Sequence, residues 1–265
     1  MGGRKYRLLK LVIYLAVITI IAPVIIMPVW SFAGRWVWPS LFPEAFSMKG
    51  MEELFGRHSE VLQVLFSSIS LSLIVAVLAA AIGAMTARAL VFYDFKGKEL
   101  VAFSTMLPII VPGTAFAMGV HVVFIYLGLA DTFVGVILVH LVFALPYTVN
   151  IMTDVTHMVG KKLEIQAQVL GASAGRSFLH VTLPLLMPGI LSSISMAYII
   201  SFSQYFITLM IGGGRVRTLS VVMVPFIQGG DRTIAFAYAS LFVFSTVAVF
   251  VVLELLIKRF TVRLD

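Results

Sequence analysis

The sequence predicts an all-α polytopic membrane protein with about six transmembrane helices. Three observations carry that prediction. Hydrophobic residues make up 60% of the 265 and charged residues only 12%, with a mean hydropathy of +1.06, which excludes an ordinary soluble globular domain. Apolar runs near the ~20 residues that cross a bilayer as helix recur along the chain, and the alternating pattern of barrel strands is absent. The charged residues cluster between those runs. Cysteine is absent, so disulfides and thiolate metal sites are excluded. A net charge of +7 in this setting reports orientation in the membrane, and no nucleic-acid partner is expected.

Taken in order, Arg4, Lys5, Arg7 and Lys10 precede an apolar run over 11–32. That run is longer than the core of a cleaved leader and no small-residue cleavage site follows it, so it reads as the first span. Residues 34–60 form a loop in which Trp36, Trp38 and Pro39 are expected in an interfacial aromatic belt. The second span, 61–90, carries Ser68, Ser72, Ala76, Ala79, Ala80 and Gly83 at helical spacing, which suits close helix packing in lipid. The third, 100–127, contains Pro108, Pro112 and Gly113 and is expected to kink or break. The fourth covers 132–152, the fifth 188–211 and the sixth 233–257. Between the last two, 212–232 reads as a glycine-rich loop whose apolar piece 219–227 is too short to span and is interrupted by Pro225. Residues 1–265 thus read as one transmembrane domain.

Of the Lys and Arg residues, Arg4, Lys5, Arg7, Lys10, Arg88, Lys96, Lys98, Lys161, Lys162, Arg176, Lys258, Arg259 and Arg263 fall on one side of this six-span layout. Arg35, Lys49, Arg57, Arg215, Arg217 and Arg232 fall on the other. The richer side is expected to be cytoplasmic, with both termini and the loop over 155–187.

That loop contains the longest polar stretch, KKLEIQAQVLGASAGRSFLHVTLPLLMPG over 161–189. Good helix formers run from Lys161 to Leu170, Gly171 is a break, and a second short helix is expected over 174–183 with Ser173 as N-cap. Pro184 and Pro188 then punctuate the return into the membrane. The stretch resembles the EAA loop of ABC-transporter permease subunits, in which E-A-A-x-x-x-G-A is followed, after about nine residues, by a hydrophobic residue and x-L-P-x-x-x-P. Gly171, Ala172, Phe178, Val181, Leu183, Pro184 and Pro188 fit. The E-A-A positions hold Ile165, Gln166 and Ala167, and the glutamate, Glu164, stands one place early.

The resemblance implies the permease subunit of a binding-protein-dependent importer of type I fold in the bacterial inner membrane. It also implies a permease pair, two cytoplasmic ATPase subunits that bind ATP and Mg, and an extracytoplasmic solute-binding protein. This chain would then hold no cofactor and be no enzyme. Glu164, Ala167, Gly171, Ala172, Phe178, Leu183, Pro184 and Pro188 would form the ATPase-coupling loop. The segment from Ile200 to Arg232 is similar to permeases of the polyamine, thiamine and iron(III) group.

The chemistry of the residues agrees with this. No G-x-x-x-x-G-K-[ST] phosphate loop occurs. No nucleophile–base pair or metal-ligand cluster is visible. A secondary transporter would show internal repeats and membrane carboxylates, and a scaffold would not need the polar loop. Glu254 is expected to pair with Lys258 at i+4. His121 and His140 fall in spans three and four and meet if those helices pack together. Ser201, Tyr205 and Thr208 recur at i, i+4 and i+7 in span five, with Gln204 beside them. This strip faces either other helices or a substrate path; with His121 it forms the candidate path for a small polar solute.

Overall fold

The computed structural model describes residues 2–34, 42–56 and 59–261. Trp36, Trp38, Pro39, Arg35, Arg57 and Arg263 lie outside them. Long apolar runs have no water to satisfy backbone groups inside a bilayer, so they must close their hydrogen bonds within the segment. They do so as α1 (Gly2–Trp30), α3 (Val61–Phe92), α6 (Phe133–Val159), α9 (Leu183–Phe202) and α12 (Arg232–Thr261). Shorter helices are α2 (Lys49–Phe55), α4 (Lys98–Ile110), α5 (Gly113–Leu127), α7 (Lys162–Val169), α8 (Ala174–Ser177), α10 (Phe206–Gly212) and α11 (Leu219–Gln228). Five helical stretches are long and apolar enough to cross a membrane, and the bent pair α4–α5 makes six if it is one span.

The third span is broken, as its prolines predict, and α4 and α5 meet at 108°. The cause is local. A residue before proline is pushed out of the helical region, and Val111 sits at φ −81°, ψ 129° ahead of Pro112. The sequence-based boundaries shift elsewhere. The fourth span runs two turns further, to Val159, and the loops over 34–60 and 212–232 hold α2 and α11.

The described residues fall into two compact units, one of Met1–Gln63 with Val222–Ser245 and one of Val64–Val221 with Thr246–Asp265. In the first, Gly34 N donates to Ala45 O at 2.6 Å and Ser47 N to Phe32 O at 2.7 Å around an isolated Ala33–Phe46 bridge. Thr233 Oγ1 donates to Ala33 O at 2.6 Å, and Lys49 pairs with Asp231 at 2.6 Å. Gly50 is required there: a Cβ would lie 2.6 Å from Ser31 O.

In the second unit the predicted small-residue stripe of α3 is buried from Ser68 to Gly83. Lipid tails are as apolar as leucine, so helices associate in a membrane through close packing, which small residues permit. A Cβ on Gly83 would stand 2.7 Å from Thr148 Oγ1 on α6, and one on Gly189 of α9 would stand 2.8 Å from Val155 Cγ2. Ala87, Met152 and Leu186 form the core where α3, α6 and α9 converge. Glu254 and Lys258 pair at 2.9 Å as expected.

Candidate functional site

The polar stretch is built from the end of α6 onward. Gly160 caps α6 at φ +64°, and α7 follows. At its other end Gly171 adopts φ +94°; Gly171 N donates to Gln168 O and Ala172 N to Ala167 O, both at 3.0 Å. That pair of bonds is a Schellman stop, with glycine at the left-handed position. Ser173 Oγ then accepts from Arg176 N at 3.5 Å and opens α8. Val169 and Leu170, at the tip between the helices, are 81% and 88% exposed.

Glu164, offset by one place in the sequence pattern, is 8% exposed and fully engaged. Arg88 Nη1 lies 3.1 Å from Glu164 Oε2, and Nη2 lies 3.2 and 3.1 Å from the two carboxylate oxygens. Thr182 Oγ1 donates to Oε2 at 2.7 Å. The Arg88 guanidinium also covers the Phe178 ring at 4.9 Å and the Phe92 ring at 5.4 Å. Lys161 sits 4.5 Å over the Tyr93 ring. A fork of charge-assisted bonds therefore ties α7 to the end of α3 and to the segment after α8. Neither Arg88 nor Thr182 was singled out from sequence as a partner. The available signal was a lone charge inside span two with a lone acid in the loop.

The prolines do not end the loop as predicted. A helix runs unbroken from Ala174 to Phe202, widened into a π turn over Phe178–Thr182. Pro184 stands in the first turn of α9, and Pro188 lies inside it. Pro184 lacks an N–H and its ring crowds the carbonyl four residues back, at His180. The π turn widens the ladder at that point, so the chain enters the span without a break. The fifth span accordingly begins well before Pro188.

It also ends early. Helix α9 stops at Phe202, Ser203–Tyr205 interrupt it, and α10 resumes at Phe206. The predicted single face of Ser201, Tyr205 and Thr208 is therefore divided. Ser201 and Thr208 nonetheless meet at one ring: His140 Nδ1 lies 2.8 Å from Ser201 Oγ, and Nε2 lies 3.0 Å from Thr208 Oγ1. Thr208 Oγ1 gives its proton to Gln204 O at 2.8 Å, so Nε2–H donates to Thr208 and Ser201 donates to Nδ1. Gln204 O also accepts from Ser220 Oγ at 2.7 Å. Side-chain hydroxyls thus compete with the backbone at the break. His140, Ser201 and Thr208 are buried, whereas Gln204, Tyr205 and His121 are half-buried. The ring of His140 meets α9 and α10, not His121.

A family model for the binding-protein-dependent transport system inner membrane component matches residues 79–264. The spermidine/putrescine transport system permease protein PotC of Haemophilus influenzae is 26% identical over 217 residues, covering 82% of this chain and 84% of that protein. Among solved structures, a bacterial ABC transporter involved in import of the acidic polysaccharide alginate gives a TM-score of 0.70 at 14% identity, over 97% of this chain and 96% of that one. The bacterial alginate ABC transporter in complex with an alginate pentasaccharide-bound periplasmic protein gives 0.61 at 15% identity, over 98% and 94%. The match covers well over half of a chain already read as multi-pass and helical, and the chain belongs to this family, as a permease subunit of an ABC importer of type I fold.

Proposed function

We propose that the chain forms half of a permease pair that moves a small polar solute inward, with the α7–α8 loop docked on a separate cytoplasmic ATPase that binds ATP and Mg. The observation that carries this reading is the loop itself. Two short helices, stopped by Gly171 and pinned through Glu164, hold Val169 and Leu170 out at a polar tip. Exposed apolar side chains rimmed by polar ones mark a protein contact. A rigid lever of this kind passes displacement of α7 to α3 and α9 through the Arg88–Glu164–Thr182 bonds. A solute-binding protein on the opposite face delivers the solute; one of the alginate transporter structures is a complex with a pentasaccharide-bound periplasmic protein.

The break at 203–205 is where the solute path borders this chain. Interrupted helices at membrane depth are tolerated where they line a cavity or are buried in protein. Gln204 and Tyr205 face the path, backed by Ser201 and Thr208 through His140, and His121 on the third span is its further candidate lining residue. The relatives' names carry a polyamine and an acidic polysaccharide, so what they share is hydrophilic cargo rather than one charge. Copurification tests the assembly. The chain is expected to carry an ATPase subunit in fixed stoichiometry, with ATP hydrolysis stimulated by the binding protein. Within that complex, Gln204→Leu is expected to lower solute moved per ATP hydrolysed. Solute transport by the purified chain without any ATPase would sink the reading.

A further inference from the structure

The loop's acid is turned inward, and that changes what the loop offers a partner. Glu164 is taken up by Arg88 and Thr182, and Lys161 lies against Tyr93. What stays outward is positive. Lys162 and Arg176 are exposed with no ion pair among the described residues, and His180, also exposed, bonds through Nδ1 to Arg176 O at 3.1 Å. Arg176 and His180 stand one turn apart and line a cavity of about 590 Å³ with Ala167, Ala172, Ser177 and Val181. Ser177 is 1% exposed and its hydroxyl is shut off from the cavity, so Arg176 and His180 are the polar side chains of the lining that an incoming group can reach.

We propose that this cavity receives an acidic side chain of the ATPase partner, a carboxylate held in the fork of Arg176. The inference rests on the loop being the docking element. Arginine's planar fork matches a carboxylate in two parallel bonds. Ala167, Ala172 and Val181 give the side chain's methylenes an apolar wall. The exposed Val169–Leu170 tip in the same loop favours a protein occupant. Because Glu164 is not presented, the ionic contact runs with the cation on the permease. Exposed Lys162 on α7 adds a second positive charge to the same loop, which favours an acidic surface and disfavours a basic one.

The test uses the full-length permease in nanodiscs with its ATPase subunit. Arg176→Glu is expected to weaken ATPase binding about tenfold or more at low salt and to flatten its salt dependence, while Arg176→Lys, which keeps the charge and loses the fork, is expected to fall between it and wild type. The new amine of Arg176→Lys should add a carbodiimide product at position 176 with an Asp or Glu of the ATPase, mapped apart from any product at Lys161 or Lys162, and Arg176→Gln should not add it. A photo-cross-linker at Leu170 reads docking independently of charge. Cross-linking from Leu170 together with unchanged binding by Arg176→Glu overturns the acidic contact and leaves docking standing. Failure of Leu170 to cross-link removes the docking reading, and the inference with it. A loss in Arg176→Glu that appears only with anionic lipid in the nanodisc assigns the cavity to a lipid headgroup and overturns the proposal.

Discussion

Gly171 shows how much one residue decides. Its left-handed φ of +94° is open to glycine and costs an L-residue about 1–2 kcal/mol, more when the side chain is β-branched. A Cβ built there meets nothing within 4 Å, so the penalty is conformational rather than steric. Gly171→Val is therefore expected to loosen the turn between α7 and α8, with membrane insertion unchanged and ATPase recovery reduced. Gly171→Asn should sit between the two. Hydrogen exchange at the α7 amides reads the effect directly; protection equal to wild type in the valine variant would show that the stop does not depend on glycine. His140 is the other decisive residue. As a single side chain with a donor on one nitrogen and an acceptor on the other, it bonds Ser201 and Thr208 on either side of a helix break.

At the scale of elements, the continuous helix from α8 through α9 and the fork on α7 are what make the loop rigid. The side chains of Arg88 and Glu164 are 18% and 10% exposed, and removing one partner strands the other. Arg88→Met alone is expected to cost on the order of 3 kcal/mol, as does breaking other buried pairs from one side. The double variant Arg88→Met with Glu164→Met should recover most of that loss, because no uncompensated charge remains. Unfolding of the detergent-solubilised chain measures both. Equal losses in the single and double variants would mean that the helices are held by packing and not by the ion pair. The same helices fix how the span is entered: the π turn lets Pro184 and Pro188 lie within one continuous helix, where the sequence reading ends the loop helix at 183 and starts the span at 188.

For the whole molecule, the excess of Lys and Arg on one side predicts an orientation with the loop inside. The absence of native cysteine makes labelling clean. Ala174 is exposed and serves as the inner reporter. On the outer side Gly213 is a poor choice, since its φ is +53° and a Cβ there would collide with the Asp131 carboxylate; exposed Arg215 is better. Ala174→Cys and Arg215→Cys are expected to react with an impermeant maleimide from opposite sides of right-side-out vesicles. Reaction of both from outside would overturn the six-span layout.

What the sequence determined by itself was the class, the spans and the loop. Hydrophobic runs of membrane length, the small-residue stripe of α3, and the Gly171 and Ser173 stop and start signals act within a few residues of each other, and local terms dominate there. The break at Pro112 belongs with them, because the constraint on Val111 is one bond away. Only the tertiary structure decided which polar groups meet. Arg88 reaches Glu164 across 76 positions of chain, and His140 reaches Ser201 across 61. Such pairs follow from helix rotation and approach, set by small residues such as Gly83 and Gly189 packed against α6. The offset glutamate is the clearest case. Pattern matching counts positions along the chain, but a buried carboxylate is placed by the guanidinium and the hydroxyl that satisfy it in three dimensions.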